Sequence, residues 1–146
     1  MAENLDEIDL KIIELLQQNA KMSMKELASI IHLSPPAATE RVRKLEDQQI
    51  IENYQAQLNL KKIGRTIEAI ILFKSIDCKA LAKFCEEHPA VISCYRVAGE
   101  ISYIAHVATD SVESLEQFID ASMVYGTPST NIVLSSVTEQ IILPLK

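Results

Sequence analysis

Two helix signals set almost back to back constrain this chain most. Leu27, Ile30 and Ile31 form the apolar face of one short helix, and Ser34-Pro35 opens another, with only His32 and Leu33 between them. Ser34 is a favoured N-cap, and Pro35 stands at the first helical position, where its missing N–H costs nothing. Two short helices joined by so brief a turn must cross steeply, which is helix-turn-helix geometry. In the helix after Ser34, Ala38, Val42 and Leu45 face inward. Pro36, Ala37, Thr39, Glu40 and Arg43 are left to solvent.

The flanking segments complete a small three-helix unit. Leu5-Asp6-Glu7 opens the first helix, with Asp6 as N-cap and an apolar stripe of Ile8, Ile12, Leu15 and Leu16. Ser23-Met24-Lys25-Glu26 has capping-box spacing and opens the second. Ile50-Ile51-Glu52-Asn53-Tyr54 has β-propensity and reads as a small wing or as the first part of a linker.

Beyond about residue 60 the periodicity changes. Strands are expected at 66–74, 91–98, 103–108 and 130–138, the last with a continuation through Ile141-Ile142. One helix, 79–87, carries Leu81, Phe84 and Cys85 on one face; another opens at Asp110-Ser111 and carries Val112, Leu115, Phe118 and Ile119. The order βαββαβ is ferredoxin-like: a four-stranded antiparallel sheet with two helices on one face. The fold class is therefore α+β, with a winged helix-turn-helix domain at 1–54, a linker at 55–65 and a βαββαβ domain at 66–146. One sheet face stays bare, and a homodimer through it would set two helix-turn-helix heads symmetrically.

Charge bears on what the helical head can touch. The net charge is −6. Residues 1–62 hold 8 basic and 10 acidic residues, a net of −2, and the rest holds 6 and 10, a net of −4. Within the head, Glu3, Asp6, Glu7 and Asp9 crowd the first helix, while Arg41, Arg43 and Lys44 cluster on the third. A local basic face is what phosphate contact requires. If the third helix enters a major groove, Glu40 accepts from cytosine, Arg43 grips guanine or phosphate, and Thr39 donates or accepts at a base edge or phosphate. Lys25 and Ser34 stand at helix N-termini suited to phosphate, and the candidate DNA contacts are Lys25, Ser34, Pro36, Ala37, Thr39, Glu40, Arg41, Arg43 and Lys44. The competing reading is a solvated helix face, with Ser34 only a cap and Glu40–Lys44 an ordinary i,i+4 pair.

Several classes are disfavoured. The longest apolar run, Ala69-Ile70-Ile71-Leu72-Phe73, is far too short to span a membrane, and the acidic N-terminus lacks a signal-peptide pattern. A cytoplasmic, nucleoid-associated location is expected. Cys78, Cys85 and Cys94 form no C-x-x-C pair; they read as small buried hydrophobes rather than a redox or metal site with His88. His32, His88 and His106 fall in different elements, and three glycines allow no phosphate loop. No enzyme activity, metal or cofactor is expected.

The stretch Leu5-Asp6-x-x-Asp9-x-x-Ile12-x-x-x-Leu16, the block Leu33-Ser34-Pro35, and Glu40-Arg41-Val42-Arg43-Lys44-Leu45-Glu46 followed by Ile50-Ile51 resemble the Lrp/AsnC (leucine-responsive/asparagine-responsive, feast/famine) regulators. The resemblance covers nearly the whole chain. It implies double-stranded DNA as partner, homodimers that often assemble into octamers, and a βαββαβ domain that binds an amino acid or other small effector. Two positions depart from the family. Gln49 replaces a Gly before Ile50-Ile51, which implies a helix stop made differently or under slight strain. In the turn from Val97 to Tyr103, which resembles the effector loop, Gly99 matches and Glu100 keeps an acid, but Ser102 replaces an Asp. A hydroxyl can only hydrogen-bond an ammonium where a carboxylate would pair it. A different effector, weak binding or none follow as alternatives. The effector candidates are Gly99, Glu100 and Ser102, with Ser135 and Ser136 on the last strand lining the same cleft.

The reading is a sequence-selective transcription regulator. A DNA-architectural protein without effector is the alternative, and a sensor whose head has lost DNA binding is a third.

Overall fold

A computed structural model describes residues 5–137 and Leu143. The chain divides into two compact units. The first takes the described residues up to Gln57 together with Leu143, whose backbone N–H and C=O bond the Gln17 side-chain amide; the second is Leu58–Val137. No helix of the described residues is long and apolar enough to cross a membrane.

The first unit contains α1 (Glu7–Gln18), α2 (Met24–Ile30) and α3 (Pro35–Asp47). Ile12, Leu16, Leu27, Ala28, Ile31, Ala38, Val42 and Leu45 form its core, with Leu5, Ile8, Ile50 and Ile51 packed around it. A full capping box forms at α1: the Asp6 carboxylate accepts from the Asp9 N–H at 2.8 Å, and Asp9 accepts from the Asp6 N–H at 3.2 Å. At α2 only half the expected box forms, the Ser23 hydroxyl accepting from the Glu26 N–H at 3.2 Å. Ser34 caps α3 as its sequence predicts.

The stops of α2 and α3 are left-handed without glycine. His32 has φ +55°, and Leu33 N–H then bonds the Ala28 carbonyl at 2.9 Å, which turns the chain from α2 into α3. Gln49 has φ +56°; its N–H bonds Glu46 O at 2.8 Å and the Ile50 N–H bonds Leu45 O at 2.9 Å. That pair of bonds is a Schellman stop. The departure at Gln49 therefore keeps the geometry a glycine would supply, and the side chain is strained in it. No strand forms at residues 50–54: Ile50 and Ile51 pack on the head core, and residues 52–59 carry no ladder. The wing is thus not a strand here, and the linker alternative describes this stretch.

The second unit contains β1 (Ile67–Ser75), α4 (Cys78–Glu87), β2 (Val91–Arg96), β3 (Tyr103–Thr109), α5 (Val112–Ser122) and β4 (Gly126–Ile132), preceded by a 3-10 turn at Lys61–Ile63. The sheet is antiparallel in the order β2-β3-β1-β4, the expected ferredoxin-like arrangement. Ala69, Ile71, Phe73, Ala105 and Val107 pack with Leu81, Cys85, Leu115 and Phe118 from the helices. Val112 is not in that core; it is the first residue of α5 and is 57% exposed. By strand alternation Glu68, Ile70, Leu72, Ile104 and His106 occupy the opposite face, half-buried, with Glu68 and His106 3.1 Å apart. All three cysteines are free; burial pushes the Cys85 thiol up to about 12.

β4 begins four residues earlier than the sequence predicts and ends at Ile132. Gly126 permits this: a Cβ there would lie 2.5 Å from the Lys74 carbonyl oxygen, so only glycine lets β4 start so close to β1. Residues 138–142, including Ile141-Ile142, lie outside the described residues.

Candidate nucleic-acid interface and effector turn

α3 presents a stripe of exposed side chains at Pro36, Glu40, Arg43 and Asp47, one helical face by their spacing. Its start is fixed by the Ser34 hydroxyl, which accepts from the Ala37 N–H at 3.4 Å. Ala37 is half-buried, while Thr39, Lys44 and, on α2, Lys25 are exposed. Lys25 and Lys44 have no acidic partner within 4 Å among the described residues. Thr39 donates its hydroxyl proton to the Pro35 carbonyl at 2.8 Å. In this rotamer it can accept from a base but has no proton for a phosphate, which narrows the role its sequence position suggests.

The two arginines of α3 have different surroundings. Arg41 Nη1 donates to Asp6 Oδ2 and Asp9 Oδ1, each at 2.7 Å, and Asp9 is almost wholly buried. The bond from the Asp9 N–H, then Arg41, holds the Asp6 carboxyl below the usual range. Arg41 therefore ties α3 to α1 through Nη1, with its side chain 32% exposed. The segregation of acids from the basic cluster is corrected: the acids of α1 meet Arg41 directly.

Arg43 is exposed on the outer face. Nε and Nη2 take the Glu40 carboxylate in a fork at 3.0 and 2.6 Å, and Nη1 reaches Asp47 at 3.0 Å. Glu40 thus pairs with Arg43 rather than Lys44, because the fork satisfies both carboxylate oxygens. Hydrogen bonding to Arg43 lowers the Glu40 pKa and raises that of Arg43. These pairs are solvated at both ends and exchange readily. Asp47 is a participant the sequence reading passed over, although its i,i+4 spacing from Arg43 was visible.

In the second unit, residues 97–102 connect β2 to β3. Gly99 has φ +137°, a conformation that disfavours side chains. The Val97 N–H bonds Ser102 O at 3.0 Å, and the Ser102 N–H bonds Phe73 O at 2.8 Å. The Ser102 hydroxyl accepts from the Ser75 N–H at 3.2 Å, and Glu100 is ion-paired with Lys74. Lys74 holds the Glu100 carboxyl below its usual range. Nothing in the local sequence points to Lys74, 26 residues away; only the β1–β3 register brings it to the turn.

Ser135 and Ser136 are not brought to this turn. β4 runs antiparallel to β1, from Gly126 opposite Ser75 to Ile132 opposite Ala69. The chain thus leaves the sheet at the end remote from Ser102, and both serines are exposed beyond the strand. Their assignment to the last strand and to the cleft at Gly99 is corrected.

Comparison with known proteins places both units. Residues 5–52 match a family described as winged helix-turn-helix DNA-binding, and residues 69–142 match the Lrp/AsnC ligand binding domain. YezC of Bacillus subtilis, an uncharacterised HTH-type transcriptional regulator, is 44% identical over 132 residues, covering 90% of this chain and 95% of the relative. LrpC of the same organism, also an HTH-type transcriptional regulator, is 36% identical over 135 residues, covering 91% and 94%. The LrpC structure superposes with a TM-score of 0.90 at 34% identity, covering 94% of this chain and all of that one. A regulator from Neisseria meningitidis, NMB0573, solved as a complex with L-Met, gives 0.89 at 26% identity, covering 97% of each chain. By both units and over nearly its full length, the chain belongs to the Lrp/AsnC family of helix-turn-helix transcriptional regulators.

Proposed function

We propose that this regulator selects its DNA sites through the outer face of α3. The observation that carries the reading is Arg43: it is the exposed arginine of that face, preset in a planar fork whose solvated acids can yield to a guanine or phosphate. Pro36, Ala37, Thr39 and Glu40 lie along the same helix toward its N-terminus, where base edges are met. Lys25, Lys44 and the Ser34 cap are assigned to the phosphate backbone. In a gel-shift titration, Arg43→Ala weakens binding about tenfold and lowers the salt slope by about one. Unchanged affinity and slope would remove Arg43 from the interface. Footprinting separates selective from architectural binding: one protected operator supports this reading, and phased protection of unrelated DNA overturns it.

The second unit is proposed to bring two or more chains together through the sheet face of Ile70, Leu72 and Ile104, whose half-buried apolar side chains lie opposite the face that packs on α4 and α5. Sedimentation equilibrium distinguishes dimer, octamer and monomer. An amino-acid effector at the Gly99 turn is proposed by analogy with the L-Met complex of the Neisseria relative. Here an incoming ammonium competes with Lys74 for Glu100, and Ser102 offers no second charge, so affinity there is low. The location proposed is the cytoplasm, at the nucleoid.

A further inference from the structure

A second cleft lies in the effector unit at the end of the sheet remote from the Gly99 turn. The register fixes its place: Ile67 meets Thr109 at this end, whereas Phe73 meets Tyr103 at the other. Ile63, Arg65, His88, Asp110, Gln117 and Phe118 line a space of about 540 Å³, within the ~300–1,000 Å³ of small-molecule sites.

Its polar groups are held in place by the fold. Arg65 follows the left-handed Gly64, φ +87°, and its Nη1 donates to the Ala108 carbonyl at 3.0 Å. The other guanidinium N–H groups have no acceptor among the described residues. Asp110 Oδ1 accepts from the Ser114 and Ser111 hydroxyls at 2.6 and 3.2 Å, and this hydrogen bonding, with a lesser pull from Arg65, keeps the carboxyl ionised. Arg65 and Asp110 thus carry opposite charges on the walls of one cleft yet form no ion pair within 4 Å. His88 stands beside them. Its Nδ1 accepts from the Ala90 N–H at 3.2 Å, so the neutral ring keeps its proton on Nε2, and the ring rests edge-on against Phe118 at 4.7 Å. Burial first, and Arg65 second, lower the His88 pKa and keep that ring a neutral donor.

We propose that this cleft binds a small zwitterion of the amino-acid class, with its carboxylate on Arg65 and His88 Nε2, its ammonium on Asp110, and an apolar side chain against Ile63 and Phe118. Two unpaired charges facing one space match a ligand that carries both; a singly charged ligand leaves one wall uncompensated. The site is separate from the Gly99 turn and does not depend on binding there.

Calorimetry on the full chain with L-leucine, L-methionine, L-valine and L-phenylalanine tests it, with isoamylamine and isocaproate as single-charge analogues of leucine. At least one amino acid binds, and both analogues bind at least about tenfold more weakly than leucine or not at all. Asp110→Asn and Arg65→Gln each weaken binding about tenfold, while Lys83→Ala on the exposed side of α4 leaves it unchanged. Because Arg65 also holds Ala108, amide NMR of the unmodified chain locates the ligand independently, with shifts centred on Gly64, Arg65, Asp110 and Ser111. No binding by any of the four amino acids, an analogue as tight as leucine, or shifts centred on residues 99–102 each overturns the proposal.

Discussion

On α3 and at the Gly99 turn, the charged residues suited to ligand contact are already held by the chain's own opposite charges, but over different distances. Arg43 is clasped by Glu40 and Asp47, three residues before it and four after, within one exposed helix. Glu100 is met by Lys74 across strand ends, and Arg41 is met by acids 35 and 32 residues away. A local clasp between solvated groups opens at little cost and leaves the residue available to a partner. A clasp between elements that includes a buried carboxylate is part of the fold. Arg41 and Arg43 stand two positions apart and fall on opposite sides of that division.

The sharpest way to break the division is Arg41→Ala. It leaves the buried Asp9 without its cation, and the head should lose about 2 kcal/mol in denaturant or thermal melts. Preserved stability with weakened DNA binding would make Arg41 a DNA contact after all. Next in size is Gln49→Gly, which relieves the left-handed stop at the end of α3 and should stabilise the head by about 1 kcal/mol. No gain in melting temperature would mean the stop is not strained.

Smaller effects probe the clasps themselves. Glu40→Gln releases Arg43 and should tighten DNA binding about threefold at low salt; weaker binding would make Glu40 itself a base contact. At the turn, Lys74→Ala frees Glu100 and should strengthen any amino-acid binding there by a similar factor of about three. A loss instead would place Lys74 on the ligand's carboxylate. Acid probes the structural clasp. The folded Asp6 carboxyl lies below its ordinary value of 3.8, so its contribution is present above that value and fades as pH falls through the lowered one. Asp6→Asn should flatten the acid limb of the head's melting curve, and an unchanged limb would remove Asp6 from the α1–α3 tie.

The sequence by itself determined the elements and their order. Caps at Asp6, Ser23 and Ser34, the brief His32-Leu33 turn and the switch to alternating strands are local signals, because hydrogen bonds within one turn or one strand period are local events. The family motif was legible for the same reason. Tertiary structure alone decided which charges are spoken for. Asp9 reads as one more surface acid until α1 packs on α3 and buries it beside Arg41. Lys74 reads as a strand residue until the register carries it to Glu100, and Arg65, His88 and Asp110 share a cleft only once the sheet is closed. Pairings over tens of residues depend on packing angle and register, which no short window of sequence contains. The short turn between α2 and α3, the strongest constraint at the outset, is built by a left-handed His32, and the packing it sets ties Arg41 to α1 while leaving Arg43 on the exposed face.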